Sequence, residues 1–302
     1  MLLAQGNTGI GLALIANAKG YKCIFAMSAG IASEKIDMMR TLGAEIILTP
    51  GVPFTSPKHY FHRAAAAAHE GNLKAPGSHF FTNQFENTSS SLAHYESTAP
   101  EIWQQAGGRV DGFVCSSGTG GTIGGCSRYL KEQNPACQVY CIDPPGSGLR
   151  GLIEQGSAAI REGSSPSSPV GVTPFEGDRV VKYIERSAGD SITEGIGIDR
   201  VTANFASGLG SIDGCLTGSD RESVEMAFYC LRTEGVFIGP SAALNVVGAV
   251  KLARRLGPGA TICTVLCDGG ERYASKMYDP DWLEGKGLTP RARGPGLDFI
   301  GD

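Results

Sequence analysis

The sequence predicts an α/β protein that is built around parallel sheets and divided into two domains. Apolar, strand-like runs alternate with helical patterns in the first part of the chain, an order typical of a parallel sheet. The 302 residues are enough for two domains. The 43 glycines exceed the usual share, which favours an α/β fold with many tight turns over a helical bundle.

Composition and charge exclude several classes of protein. A hydrophobic content of 41% allows a packed core, and a formal net charge of −4 argues against a general nucleic-acid binder. No apolar run approaches the roughly 18 residues of a membrane-spanning helix, so no membrane segment is expected. The nine cysteines are odd in number and form no C-x-x-C pair. They predict buried, reduced thiols in a cytoplasmic protein and no metal site.

A smaller amino-terminal domain is predicted over residues 1–87. Its start, Leu2-Leu3-Ala4, resembles the end of a strand, and the small-residue turn that follows opens a helix over 8–18. Strands at 22–27, 45–48 and 79–81 then alternate with helices at 33–42 and 57–70. Because the first strand is so short, we expect this domain to be incomplete at its amino end.

A larger domain is predicted over residues 88–284. The periodicity indicates helices at 91–105, 123–130, 219–234 and 241–256, and strands at 113–115, 138–142, 212–216 and 260–267. Serine, proline and glycine dominate residues 163–178, which indicates a surface loop. Residues 285–302 are rich in glycine, proline and charge, and we expect them to form a disordered tail.

The most informative stretch for function is the loop of small residues that follows the apolar run 113–115. This glycine loop (residues 118–122) consists of Gly118, Thr119, Gly120, Gly121 and Thr122. A strand–glycine loop–helix unit directs backbone N–H groups and the positive end of the helix dipole at an anion, usually a phosphate. Its two threonine hydroxyls can also donate to phosphate oxygens. The loop alone fits pyridoxal phosphate and NAD equally well.

Two observations support the NAD alternative and one opposes it. Gly118, Gly120 and Gly124 resemble a dinucleotide fingerprint, and Asp143 ends the next predicted strand, where such proteins carry an acid. The third glycine, however, comes one place late for G-x-G-x-x-G.

Two further turns favour pyridoxal phosphate. Gly6, Asn7 and Thr8 open a helix whose amides can receive a carboxylate, and the Asn7 amide can donate to a phenolic oxygen. Ser241 begins another helix after the turn at Gly239. Its hydroxyl either points at a ligand or caps the helix, and capping is the more common role of a serine at that position.

Together the three turns resemble those of the cysteine synthase group of fold type II pyridoxal-phosphate enzymes, which includes cystathionine β-synthase. The similarity runs from about Gly6 to Trp282 and is nearest to the fungal cysteine synthase 2 branch. The supporting motifs include Thr82-Asn83-Gln84-Phe85, Thr193-Glu194-Gly195-Ile196-Gly197 and Cys267-Asp268-Gly269. The resemblance implies the tryptophan synthase β-like fold, with two three-layer αβα domains, and a homodimer.

The resemblance also implies roles for individual residues. Asn7 would bond the 3′ oxygen of pyridoxal phosphate, the glycine loop would hold its phosphate, and Ser241 would face its pyridine nitrogen. Gly6, Asn7 and Thr8 would bind the carboxylate of a small amino-acid substrate, with Gln84 nearby. The implied reaction is β-replacement, in which L-cysteine forms from O-acetylserine and sulfide.

One departure from the family concerns catalysis. The family's Schiff-base lysine lies upstream of the Asn7 motif, on a segment that we expect this chain to lack, so no catalytic residue is assigned and the cofactor is expected to bind non-covalently at most. Lys35 and the other nearby lysines are expected on surface turns and helices. Two alternatives therefore stand beside the cysteine synthase: a catalytically inactive relative, and a lyase like cystathionine β-synthase or serine/threonine dehydratase. A mitochondrial location also stays open, because a targeting signal would precede the expected truncation.

Overall fold

The computed structural model describes residues 6–164, 180–292 and 294–301. The chain divides into two compact units. The first unit consists of the described residues up to Gln84 together with the described residues of 162–181. The second unit consists of residues 85–161 and the described residues from 182 onward.

Residues 6–84 of the first unit contain three helices and a pair of parallel strands. In chain order these are α1 (Gly6–Ala18), β1 (Ile24–Ser28), α2 (Ser33–Thr41), β2 (Glu45–Thr49) and α3 (Tyr60–Lys74). β1 and β2 are parallel, with Ile24 opposite Glu45. Phe25 and Met27 pack with Ile10 of α1, whereas Ala26, which points the other way, packs with Ala64 of α3. Helices therefore cover both faces of the strand pair.

The strand expected at 79–81 is not formed. The side chain of Asn72 in α3 forms hydrogen bonds with both backbone groups of His79. Its Nδ2 donates to the His79 carbonyl at 2.8 Å, and its Oδ1 accepts from the His79 amide at 2.9 Å. An asparagine side chain thus satisfies the polar groups that a neighbouring strand would otherwise pair.

The described chain from residue 85 onward carries the other elements. Its elements are α4 (Ser89–Ala93), a π-helical turn (His94–Thr98), α5 (Ala99–Gln105), β3 (Gly112–Cys115), α6 (Gly121–Gln133), β4 (Gln138–Asp143), α7 (Leu149–Gln155), β5 (Ile160–Ser164), β6 (Val180–Ile184), α8 (Ala203–Ala206), β7 (Gly214–Thr217), α9 (Asp220–Tyr229), α10 (Pro240–Leu256), β8 (Ile262–Thr264) and α11 (Pro280–Gly285). Four parallel strands form one sheet in the order β7-β4-β3-β8, and β5 pairs with β6. β5 and β6 lie partly in the 162–181 stretch of the first unit.

The core lies on both faces of the four-stranded sheet. Every residue of β3 is buried. Phe113 and Cys115 belong to the cluster on one face, which includes Ile123 of α6. Val114 belongs to the cluster on the other face, which includes Leu244 of α10. The prediction of an α/β fold with three-layer parallel sheets is therefore confirmed.

Several predicted elements are interrupted or shortened. The helix expected over 91–105 is divided by the π-helical turn, and the helix expected over 219–234 ends in a second one (Cys230–Glu234). The strand expected over 260–267 is shortened to β8, whose three residues each pair with a residue of β3. The surface loop expected over 163–178 lies largely outside the described residues.

The carboxyl-terminal segment differs from the disordered tail expected over 285–302. Among its described residues, Ile300 is 4% exposed, and Arg254 of α10 donates to the Ile300 carbonyl at 2.9 Å. The carboxylate of the buried Glu225 accepts from the amides of Arg291 and Ala292, at 2.8 and 2.9 Å. These anchors order a segment whose composition alone suggests a flexible chain.

Two global expectations can be compared with the fold. Across the described residues, no helix combines the length and the apolar character needed to cross a bilayer. All nine cysteines are free thiols, and most are buried, as the odd number and the apolar surroundings predicted.

Candidate functional site

The candidate site of the second unit lies at the carboxyl edge of its parallel sheet, where ligands bind in folds of this kind. β3 is an inner strand, so the chain that leaves it emerges among the ends of β4 and β8. The amide of Ser116, the first residue beyond β3, donates to Oδ1 of Asn245 on α10 at 2.7 Å. This bond fixes where the glycine loop begins.

The loop's glycines are required by close packing as well as by any ligand. Gly120 has a φ of 92°, a left-handed conformation that other residues adopt only with strain. A Cβ on Gly120 would overlap the backbone of Phe205, and one on Gly118 would overlap the carbonyl oxygen of Gly195. The segment that carries Gly195 also bonds the loop, since the Gly197 amide donates to the Ser117 carbonyl at 3.1 Å.

Polar groups at the start of α6 remain available to a ligand. The first amides of a helix have no intrahelical acceptors, and the N-cap residue of α6, Gly120, has no side chain to cap them; the Gly121 amide donates to Oγ1 of Thr119 at 3.4 Å. The hydroxyls of Ser116 and Ser117 are buried and have no hydrogen-bond partner among the described residues. Amides at the positive end of a helix, preceded by two buried hydroxyls without partners, are donors that suit a phosphate monoester. The residues present therefore fit the phosphate of pyridoxal phosphate.

The two threonines of the loop have different surroundings. The Thr119 carbonyl accepts from the Thr202 hydroxyl at 2.7 Å, which anchors the loop to the start of α8. The hydroxyl of Thr122 lies 3.2 Å from Nε2 of His94, and Nδ1 of His94 lies 3.0 Å from the hydroxyl of Thr98. Sequence reasoning did not find His94, because 28 residues separate it from Thr122 and no local motif links the two.

Ser241 does not cap its helix. α10 begins at Pro240 and its N-cap is Gly239, so the interpretation of Ser241 as the cap is wrong. Ser241 lies inside the first turn, 4% exposed, with its hydroxyl hydrogen-bonded to the Cys267 thiol. Asn245, which holds Ser116, follows Ser241 by one helical turn and so shares its face of α10. The structure therefore brings Ser241 and the glycine loop to the same edge of the sheet.

Asn245 is the main positioning residue that sequence reasoning missed. It is fully buried, and besides holding the Ser116 amide, its Nδ2 donates to the Val265 carbonyl at 2.8 Å and lies 3.3 Å from Sγ of Cys267. Burial of the sulfur raises the pKa of the Cys267 thiol above its usual value, so the thiol is protonated at neutral pH. An asparagine inside an otherwise apolar helix was the signal that could have identified it.

Asp143 has a structural contact that weakens the dinucleotide alternative. It is 3% exposed at the end of β4, and its Oδ2 accepts from the amide of Arg150 in α7 at 2.9 Å. Its Oδ1 has no hydrogen-bond partner in the described part of the chain. Burial raises the pKa of the Asp143 carboxyl. One oxygen thus binds the first turn of α7, which explains an acid at this position without a ribose.

The first unit holds the other predicted site residues. Gly6, with a φ of 60°, begins α1, and Asn7 and Thr8 occupy the first turn of that helix. Gln84 follows Asn83, which has a φ of 46° and is the one described residue other than glycine in the left-handed region. Strained backbone of this kind concentrates at functional sites, and asparagine tolerates it best.

Lys35 corrects one expectation about the lysines. It was expected on the surface of α2, but it is 2% exposed and packed into the interior of the first unit. The long aliphatic stem of a lysine accounts for its tolerance there.

Comparison with known proteins gives consistent matches over most of the chain. The family model described as "Pyridoxal-phosphate dependent enzyme" matches residues 3–268. Cysteine synthase 1 of Emericella nidulans is 42% identical over 284 residues, covering 94% of this chain and 69% of that protein. The putative mitochondrial cysteine synthase of Saccharomyces cerevisiae is 34% identical over 286 residues, covering 93% and 67%. A solved O-acetylserine dependent cystathionine beta-synthase from Helicobacter pylori has a TM-score of 0.71 at 30% identity, covering 91% of this chain and 76% of that one.

The chain therefore belongs to the pyridoxal-phosphate dependent enzyme family, and it has the tryptophan synthase β-like fold that its motifs implied. Within that family it groups with the cysteine synthases and cystathionine β-synthases. It is an enzyme of the transferase or lyase type that uses pyridoxal phosphate, and its function is cysteine synthase-like.

Proposed function

We propose that this chain takes part in a β-replacement that forms L-cysteine from O-acetylserine and sulfide, with pyridoxal phosphate as cofactor. The observation that carries the proposal is the start of α6. There, the first-turn amides of α6 follow an N-cap glycine without a side chain, and the unpartnered hydroxyls of Ser116 and Ser117 come just before them in the chain. The similarity to the fungal cysteine synthase supports the choice of a small amino acid as substrate.

Each predicted site residue receives a role in this proposal. Gly118, Thr119, Gly120, Gly121 and Thr122 donate to the phosphate, and Ser241 faces the pyridine nitrogen. Asn7 bonds the 3′ oxygen, and Gly6, Thr8 and Gln84 bind the substrate carboxylate.

The chain's own groups suit elimination and replacement at the β-carbon. When bound, pyridoxal phosphate supplies the electron-withdrawing ring that lets a β-substituent leave. Ser241 presents a neutral hydroxyl to that ring, and its thiol neighbour Cys267 adds no formal charge at neutral pH. Neither side chain carries a negative charge that would stabilise a proton on the pyridine nitrogen. This favours loss of a β-substituent over chemistry that needs a protonated ring.

Cofactor binding is the first test. Pyridoxal phosphate is titrated into the protein and its binding followed by fluorescence, with Thr122→Val as the variant and Thr233→Val as a matched control, because Thr233 is exposed and its hydroxyl donates to the Tyr229 carbonyl one helical turn before it. We expect saturable binding that Thr122→Val weakens and the control leaves unchanged. Binding that neither substitution alters would contradict the role of the loop.

Activity is the second test. The loaded protein is supplied with O-acetylserine and sulfide, and L-cysteine is measured by mass spectrometry; borohydride reduction followed by peptide mapping then identifies any lysine that forms an adduct. Cysteine formation with one specific adduct supports the proposal. Product from homocysteine in place of sulfide indicates a cystathionine β-synthase, and cofactor binding without product or adduct indicates the inactive relative.

The compartment and the oligomeric state extend the proposal. Nine free thiols favour a reducing compartment, and we propose the cytoplasm, with the mitochondrion as the alternative because a yeast relative is named for it. Fractionation of cells that express the full gene distinguishes the two. We also propose a homodimer, by analogy with the family, and sedimentation equilibrium over a range of concentrations tests it.

A further inference from the structure

Two segments that are far apart in the sequence meet inside the second unit. The clasped segment, residues 85–91, comes directly after Gln84, and residues 200–204 contain the start of α8. Three side chains, which we call the clasp, connect the two segments: Glu86, Arg200 and Asn204. Arg200 and Asn204 are buried, and the Glu86 side chain is 11% exposed. The clasp therefore lies in the interior and not on the surface, where ion pairs contribute little.

The ion pair of the clasp uses both oxygens of the Glu86 carboxylate. Its Oε1 pairs with the Arg200 guanidinium, and its Oε2 accepts from the Ala203 amide at 3.1 Å. The same guanidinium lies over the Phe85 ring, 4.7 Å from the ring centroid. Arginine can pair and stack at once because its guanidinium is planar. Phe85 and Glu86, the first two residues after Gln84, are thereby fixed to the start of α8.

Asn204 bonds three backbone groups of the clasped segment. Its Nδ2 donates to the carbonyls of Phe85 and Asn87 at 3.0 and 3.1 Å, and its Oδ1 accepts from the Ser91 amide at 3.1 Å. The side-chain amide uses its two donors and its acceptor, so one asparagine holds both ends of the segment. The part of the segment before α4 belongs to no helix or strand, and side chains satisfy its backbone groups instead.

The chain that carries Arg200 and Asn204 also contacts the glycine loop. The hydroxyl of Thr202, which lies between them in the chain, donates to the Thr119 carbonyl at 2.7 Å. A Cβ on Gly124 of α6 would overlap the Asn204 carbonyl oxygen, so this chain packs closely on α6 as well. Different side chains of one short stretch thus hold the glycine loop and the clasped segment, and substitutions can separate the two functions.

We propose that Glu86, Arg200 and Asn204 are positioning residues for the amino-acid substrate: they fix the chain immediately after Gln84 and so limit the conformations in which Gln84 meets the substrate carboxylate. The inference rests on the proposed function, which places that carboxylate at Gln84. A loosened segment has to be ordered again whenever a substrate binds, and this entropy is subtracted from the binding free energy. The clasp therefore acts on the affinity for the substrate and not on the chemical step.

Two substitutions of nearly unchanged size loosen the clasp without leaving a cavity. Asn204→Asp keeps an acceptor for the Ser91 amide but places an oxygen against two backbone carbonyls that need donors. Glu86→Gln offers one acceptor where two donors, the Arg200 guanidinium and the Ala203 amide, each need one. Each variant therefore removes specific hydrogen bonds and preserves the packing around them.

Steady-state kinetics separate positioning from general stability. We expect Asn204→Asp and Glu86→Gln each to raise the KM for O-acetylserine by about three- to tenfold, the value of one hydrogen bond, while kcat and the affinity for pyridoxal phosphate change by less than about twofold. Glu185→Gln is the matched control, because Glu185 pairs with Arg161 where the two side chains are 74% and 76% exposed, and it should leave all three quantities unchanged. Parallel losses of cofactor and substrate affinity would indicate a purely structural role and overturn the proposal.

A double substitution tests whether Glu86 and Arg200 act as a pair. Arg200→Met alone leaves the Glu86 carboxylate in the interior without its cation, whereas Arg200→Met combined with Glu86→Gln removes both charges. We expect the double variant to bind O-acetylserine no more weakly than Arg200→Met alone. Losses that multiply would show that the two side chains act independently and would contradict the clasp.

Hydrogen exchange measures the clasp without turnover. In the protein without ligands, a peptide that covers the clasped segment should exchange at least about threefold faster in Asn204→Asp than in Glu185→Gln, and equal rates would overturn the proposal. Protection of the same peptide by O-acetylserine in the cofactor-loaded protein then gives the substrate affinity of each variant.

The outcomes distinguish the inference from the proposed function. If the unsubstituted protein binds O-acetylserine but forms no L-cysteine, the proposed function fails, and the affinity of Asn204→Asp relative to Glu185→Gln still confirms or refutes the clasp. If L-cysteine forms and both variants bind O-acetylserine equally well, only the inference fails. If the unsubstituted protein binds no O-acetylserine, both fail.

Discussion

Asn245 illustrates how single buried residues hold this site together. Its side chain bonds the Ser116 amide before the glycine loop and the Val265 carbonyl after β8. Both backbone groups belong to segments that have just left the sheet, where no neighbouring strand pairs with them. The amide side chain, with one acceptor and two donors, matches both needs.

Removing that side chain should be costly. Asn245→Ala leaves two buried backbone groups unsatisfied, and we expect the free energy of unfolding in urea to fall by about 2–4 kcal/mol, with weaker cofactor binding. Asn72→Ala is the matched control, because Asn72 also bridges backbone groups, those of His79, but in the first unit and partly exposed. We expect a smaller loss there and no change in cofactor affinity. Equal effects of both substitutions on affinity would refute a specific role for Asn245.

Gly120 allows the cost of steric overlap to be separated from the cost of backbone strain. Gly120→Ala combines a positive φ with overlap on the Phe205 backbone, whereas Gly235→Ala has a similar φ of 68° and open space around it. We expect Gly235→Ala to cost about 1–2 kcal/mol and Gly120→Ala clearly more, measured by thermal unfolding. If the two costs were the same, the contact with α8 would not constrain the loop.

Elements of the second unit are joined by polar groups at their ends. Asp143 terminates β4 and accepts from the first turn of α7, so one carboxylate links a strand to the next helix. Likewise, the Ser219 hydroxyl and the Glu222 carboxylate form a capping box at the start of α9, and Glu222 also pairs with Lys251 of α10 at 2.9 Å. These contacts fix helices relative to the sheet edge where the site lies.

The raised pKa of Asp143 gives stability a defined pH dependence. The Asp143 carboxyl keeps its proton to a higher pH in the folded protein than in the unfolded chain, where its pKa is about 4. The folded state therefore binds more protons in this window, and the contribution of Asp143 to the free energy of unfolding falls as pH rises through it. Asp143→Asn keeps an oxygen for the Arg150 amide and removes the titration.

The measurement compares urea unfolding of the two proteins from pH 4 upward. We expect the stability of the unsubstituted protein relative to Asp143→Asn to decrease with rising pH until the folded carboxyl is ionised, and then to level off. Asp37→Asn removes the same charge from an exposed position and serves as the control. A difference that grows with pH would show that the carboxylate form is favoured in the fold.

At the scale of the whole molecule, the carboxyl-terminal segment completes the second unit. Ile300 joins the apolar cluster on the α10 face of the sheet, and the Gly301 amide donates to Oε1 of Glu222 at 3.0 Å. Glu225 binds two amides of the same segment. The segment thus satisfies polar groups of α9 and covers apolar surface of the core.

Substitution of its apolar anchor tests this role. Ile300→Ala should lower the free energy of unfolding by about 2–4 kcal/mol, because the side chain is buried and its removal leaves a cavity. Leu73→Ala, at a side chain that is 72% exposed on α3, should change stability by less than about 0.5 kcal/mol. An Ile300→Ala loss no larger than that of Leu73→Ala would support the disorder that the composition of this segment suggested.

Much of the fold could be predicted because apolar periodicity reports burial directly. The run at β3 was identified as buried, and the helix after Gly120 and the strand ending at Asp143 were located within a few residues. The sequence could not show that Asn72 would replace a strand partner at His79, because that contact depends on the path of the chain after α3. Composition misjudged the carboxyl-terminal segment for the same reason, since its anchors lie on α9 and α10.

The sequence by itself determined the class of protein: the order of strands and helices, the glycine loop, and the three turns shared with cysteine synthases. Those features are local, so spacing and residue type suffice to recognise them. Only the tertiary structure decided that Ser241 lies inside its helix, that Asn245 fixes the start of the loop, and that His94 bonds Thr122. These contacts join residues far apart in the chain, and hydrogen bonds over such separations are set by packing of the elements, not by any local pattern.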